Sequence, residues 1–196
     1  SLFFPHGGPT PLFAQRKTDE RDIDILFSGN ISEVPPFDEW LEQSFPNSLQ
    51  LRSILSKNFD KFCCENEHIF KIFMNAVKVA GSGYDKNFLA QSFTLIERYF
   101  INRERFIILS SITKYSVTVI GSVSENLKGR LLNHNFLGPR HHSEVLGAMA
   151  RSKISLNIVP SFRNGGHERI FYSLAYGHYK LFYCILGFDF LHLGFR

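Results

Sequence analysis

The period of the apolar positions changes along the chain, and each change marks a new kind of element. Residues 22–30, DIDILFSGN, hold a β-rich apolar run ending in Ser-Gly-Asn. That is the pattern of a buried parallel strand followed by a tight loop at its carboxyl edge. From Asp38 to about Ser110 the apolar residues recur at helical spacing instead. The sets are Phe37, Trp40 and Leu41; Leu51, Ile54, Leu55, Phe59 and Phe62; Ile69, Phe73, Ala76, Val77 and Ala80; and Phe88, Leu89, Phe93, Ile96 and Phe100. They predict three or four helices, broken at FPNS (45–48) and GSGYD (81–85), with Asp85 or Ser82 as an N-cap. Strand-like runs return at 114–121 (KYSVTVIG) and 152–159 (SKISLNIV), with a short helix in HHSEVLGAMAR between them. A helix over 167–176, with Ile170, Phe171 and Leu174 on its buried face and Gly177 at its end, then precedes a strand over 179–186.

Strand, helix and strand in alternation argue for an α/β fold with a parallel sheet, into which a helical segment of about 38–110 is inserted after the first strand. The opening 21 residues contain three prolines and two glycines before a charged run, and read as an interdomain-type linker. Residues 22–196 are then one domain.

Composition narrows the function classes. With 44% hydrophobic and 15% aromatic residues the chain can build a sizeable core, and its 21 phenylalanines are spread along it, which fits core packing better than base stacking. A net charge of +4 favours anionic ligands, yet no dense Lys/Arg run suggests a nucleic-acid groove. The cysteines, Cys63, Cys64 and Cys184, form neither a disulfide framework nor a metal pattern, which favours a reducing, cytoplasmic compartment. No apolar run reaches the roughly 18 residues of a membrane span.

In an open parallel sheet, ligands bind beyond the carboxyl ends of the strands. The loops to read are therefore Ser28-Gly29-Asn30, Gly121-Ser122, Gly138-Pro139-Arg140 and the stretch from Pro160 to Arg169. In the last, Gly165-Gly166 lets the backbone approach a ligand, and the helix that follows offers free N–H groups and the positive end of its dipole. An arginine in a first helical turn opposes that dipole, so Arg169 gains nothing locally but makes a fork-shaped clamp for a bound diphosphate. Glu168 beside it has ordinary N-terminal capping as its alternative role. His167 is a cap, a core-edge histidine or a donor to phosphate.

The runs DILFSGN, VTVIGS, FLGPRHHSEVLGAMARSKISLNIVP and GGHERIFYSLAYG, in this order, resemble the C-terminal donor-binding domain of glycosyltransferases with two Rossmann-like domains, especially the group similar to spore-maturation glycosyltransferases. The signature of that group appears here as Leu156-Asn157, Gly166, Arg169-Ile170-Phe171 and Ala175-Tyr176-Gly177. The resemblance implies a Rossmann-like sheet and a nucleoside-diphosphate sugar as substrate, its diphosphate near the helix that begins at His167 and its base near the Gly138 loop. It implies no cofactor and no metal. Members often carry a glutamate after the Phe of this helix to hold the ribose hydroxyls; here Tyr172 stands there, which donates one hydrogen bond and cannot accept from two hydroxyls.

Transfer also needs an acceptor domain or partner chain, and the expectation is that this chain supplies the donor half and does not transfer sugar alone. The catalytic base is not assigned. The alternative reading is a non-catalytic nucleotide-binding or protein-interaction module of the same fold. A receiver-type regulator would need acids at the strand ends, whereas DIDILFSGN carries its acids at the start.

Overall fold

The computed structural model describes residues 21–64, 68–81, 83–158 and 180–183. In chain order the elements are β1 (Ile23–Ser28), α1 (Phe37–Ser44), α2 (Leu49–Lys57), α3 (Phe59–Cys64), α4 (Ile69–Ala80), α5 (Lys86–Ser111), β2 (Val117–Ile120), α6 (Glu125–Arg130), β3 (Asn135–Gly138), α7 (His142–Arg151), β4 (Ser152–Asn157) and β5 (Lys180–Tyr183). The strands form one five-stranded sheet in the order β3-β2-β1-β4-β5, and every neighbouring pair is parallel. This is a Rossmann-like α/β sheet with a helical insertion after the first strand, as the alternation predicts. The strand order reverses at β1: the chain steps outward through β2 and β3, then returns to the other side of β1 with β4 and β5.

Alternation along the central strands divides the sheet into two faces. Ile25 and Phe27 of β1, Val117 and Val119 of β2, and Leu156 of β4 join Ile108 and Leu109 of α5 and Leu127 of α6 in one apolar layer. Leu26 and Ile120 join Met149, Val145 and Leu146 of α7 on the other side. At the amino edge Arg151 forms an ion pair with Asp22, its Nε donating to Asp22 Oδ1 at 2.8 Å, and Lys153 pairs with Asp24. These two pairs tie the start of β1 to the start of β4.

The insertion has its own core, which explains the wealth of aromatic residues. Phe37, Phe62 and Phe100 are buried together with Tyr99. Phe62 stacks on Phe100 at 4.8 Å between ring centroids, and Trp40 lies 4.7 Å from Tyr99. The Tyr99 hydroxyl donates to the Pro35 carbonyl at 3.0 Å, and burial pushes its phenol up from the ordinary value. α5 belongs to both cores. The part up to Phe100 packs Ile96, Tyr99 and Phe100 into the insertion, and the last turns place Ile108 and Leu109 against the sheet.

Three local features depart from the sequence expectation. The stretch predicted to hold three or four helices holds five, because Asn58 ends α2 by donating its backbone N–H and its side-chain Nδ2 to Ile54 O. The apolar period continues across that break, so the pattern shows no interruption. α6 presents Leu127 as its buried residue and contains Gly129, too little for a periodic signal. β3 is a four-residue edge strand whose residues are exposed or half-buried, so NFLG carries no apolar run. Just before β3, His134 is buried and bridges β2 to α5: its Nδ1 accepts from Val117 N–H at 3.3 Å, and Nε2 lies 2.8 Å from Leu109 O. Those partners require the neutral tautomer with the proton on Nε2.

Candidate functional site

The loops after β1, β2 and β3 converge at the carboxyl edge of the sheet. There they form a cleft of about 310 Å³ on the α7 side. Ser28, Gly29 and Asn30 contribute one wall, Ile120 and Gly121 the floor between strands, and Pro139 and Arg140 the far rim. His142, Val145, Leu146 and Met149 of α7 close the remaining side.

Main-chain hydrogen bonds run past the ends of the strands and hold these loops in register. Gly29 N–H donates to Ile120 O at 2.8 Å, Gly121 N–H to Gly138 O at 3.1 Å, and Ile31 N–H to Ser122 O at 2.8 Å. The Asn30 side chain adds a strap, its Oδ1 accepting from Ser122 N–H at 2.9 Å. On the opposite face, Arg105 of α5 donates through Nη1 to Asn30 O at 2.7 Å. This close approach is why glycine stands at 121: its φ is +147°, and an added Cβ would sit 2.2 Å from Gly29 O. Gly138 also has a left-handed φ, +71°, but space around it is open.

The cleft is apolar along α7 and cationic at its rim. Arg140 is about half exposed and reaches Glu144 at 4.0 Å, the long limit for an ion pair. Glu144 is also committed to the start of the helix, where its Oε2 accepts from His141 N–H at 3.0 Å while His141 Nδ1 accepts from Ser143 N–H at 3.4 Å. This reciprocal cap starts α7 at the edge of the cleft. With Glu144 engaged in the cap, the Arg140 guanidinium retains donors for an anion.

Of the site residues expected from sequence, Gly29, Asn30, Gly121, Pro139 and Arg140 come together as cleft lining. Ser122 and Gly138 stand behind it as backbone partners that fix the loops. Pro160, Gly165, Gly166, His167, Glu168, Arg169 and Tyr172 lie outside the described residues. Ser28, at the head of the first of those loops, lines the cleft as well, whereas sequence reasoning missed Ile120 and the apolar wall of α7. The spacing of Val145, Leu146 and Met149, one helical face, was the available signal for that wall. No protein-family model matches the chain, and neither a curated protein nor a solved structure matches it.

Proposed function

We propose that the carboxyl-edge cleft binds the nucleotide part of a nucleoside-diphosphate sugar, and that the chain is the donor-binding half of a glycosyltransferase. The observation that carries this reading is the convergence of Gly29, Gly121, Pro139 and Arg140 in one cleft at the edge where open parallel sheets take ligands. Its volume suits a small organic ligand, its α7 wall offers apolar surface to a base, and Arg140 offers charge to a phosphate.

In the reaction, an acceptor oxygen bonds to the anomeric carbon while the bond from that carbon to the β-phosphate oxygen breaks. The bonding pair leaves with the nucleoside diphosphate. The acceptor's proton passes to a base that a partner domain or chain supplies. The role of this chain is to stabilise the leaving diphosphate, whose charge grows in the transition state. Arg140 is one group suited to that role; Arg169, after the Gly165-Gly166 turn, is the other by sequence. A cytoplasmic setting accords with this reading, since the spacing of Cys63, Cys64 and Cys184 is not that of a disulfide framework.

Calorimetric titration with nucleoside diphosphates and their sugar derivatives tests the proposal. Arg169→Ala removes a charge-assisted contact worth about 1.5–3 kcal/mol, a ten- to hundredfold loss of affinity, with little effect on folding. Tyr172→Glu supplies a carboxylate for the ribose hydroxyls and is expected to leave affinity unchanged or raise it. A wild-type chain that binds none of these nucleotides, or equal affinity in wild type and Arg169→Ala, contradicts the diphosphate site.

A further inference from the structure

Asn157 closes β4 with a side chain that makes no hydrogen bond. It is 2% exposed, and both its Oδ1 and its Nδ2 are buried without a partner. A carboxamide offers two donors and an acceptor, and native interiors rarely leave such a group unsatisfied. A leucine of similar size would fill the position without desolvating polar atoms, so packing gives no reason for an amide here.

Its place in the sheet supplies one. Ile154, Leu156 and Ile158 belong to the apolar layer under α5 and α6. Asn157, between them in the alternation, therefore faces the α7 side, the side of the cleft. β1 pairs with β4 so that Phe27 stands opposite Leu156. Continued one step along both strands, that register brings Asn157 beside Ser28 at the usual interstrand spacing of about 4.8 Å; Ser28 lines the cleft, and Asn157 lies next to the lining and not in it. The β1–β4 pair is also where the strand order reverses, the crevice in which open sheets hold their ligands.

We infer that Asn157 is a ligand contact whose carboxamide receives a neutral group carrying both a hydrogen-bond donor and an acceptor, the edge of the nucleobase or a sugar hydroxyl. The inference rests on the reading of the cleft as a nucleotide-sugar site and adds a specificity residue to it. The diphosphate is better matched by the guanidinium of Arg140, because hydrogen bonds from a charged donor to an anion are the stronger kind.

The test combines thermal melts of the unliganded protein with titrations of wild type, Asn157→Leu and Asn157→Ala. Asn157→Leu is expected to melt at or above the wild-type temperature, since it removes two orphaned polar groups, and to bind the nucleotide about tenfold more weakly. Asn157→Ala serves if the branched leucine does not fit: the same loss of affinity in a folded alanine variant supports the contact equally. A loss seen already with the nucleoside diphosphate assigns the amide to the nucleoside, its base or ribose; a loss confined to the sugar-bearing donor assigns it to a hydroxyl of the transferred sugar. Unchanged affinity in both variants overturns the inference and leaves the proposed function standing. Lower melting of Asn157→Leu with unaltered affinity identifies a structural amide and overturns it too. A wild-type chain that binds no nucleotide overturns the proposed function, and this inference with it.

Discussion

Gly121 and Gly138 both have left-handed backbones at the edge of the cleft, yet their replacements should behave differently. At Gly121 a Cβ meets the Gly29 carbonyl at 2.2 Å; at Gly138 it meets nothing within 4 Å. Gly138→Ala should therefore cost about 1–2 kcal/mol, the strain of a left-handed alanine. Gly121→Ala adds a main-chain collision and should cost clearly more, with the β1 and β2 loops forced apart. Urea denaturation of the two variants measures the difference, and equal losses would show that the two loops are not in close contact. The requirement for glycine after a strand was legible in the sequence. The reason for it, the approach of two loops 92 residues apart and the Asn30–Ser122 strap between them, is a tertiary fact that no local pattern carries. Asn157 stood out in the sequence only as part of the Leu156-Asn157 signature, with no role attached; its unmade hydrogen bonds, a tertiary fact, are what point to one.

Among the elements, α5 decides whether the insertion and the sheet act as one unit. Its 26 residues span about 39 Å, long enough to serve two cores in succession. Phe100→Ala deletes a buried ring from the insertion core, and such truncations cost about 3–5 kcal/mol. Because the same helix buries Ile108 and Leu109 under the sheet, the loss should lower one cooperative transition in thermal melts followed by circular dichroism. A separate, earlier transition of the insertion would contradict that coupling. The β1–β4 edge is sensitive to acid instead. The hydrogen bond from Arg151 holds the Asp22 carboxyl below its ordinary value of 3.8, so on acidification the unfolded chain takes up this proton before the folded chain does. The stabilising effect is fully present above pH 3.8 and disappears as the pH falls through the lower folded value. Asp22→Asn should thus melt slightly below wild type at about pH 7, the small effect expected of an exposed pair, and the difference should vanish in strong acid. A difference that persists unchanged there would assign the effect to something other than the ion pair. The helices and central strands were legible because their apolar periods are long; β3 and α6 were not, since each buries too little to leave a pattern.

At the scale of the whole molecule, ligand binding at the carboxyl edge follows from one topological fact and one chemical one. The sheet reverses its strand order at β1, and the loops at that edge gather glycines and Arg140 into a cleft beside α7. The parallel sheet and its inserted helices followed from strand–helix alternation, and the loop positions followed from the rule that ligands bind at carboxyl ends. What the sequence could not show was which loop residues line the cleft and which brace it. The most direct measurement is amide NMR of the labelled chain titrated with nucleoside diphosphates. A nucleotide seated in the cleft should shift signals at 28–30, 120–122, 138 and 140–142, and at 157 and 165–169 if Asn157 and Arg169 contact it as proposed, with the insertion core around Phe37, Phe62 and Phe100 unmoved. No shifts with any nucleoside diphosphate, or shifts centred on the α2–α4 helices, would contradict it.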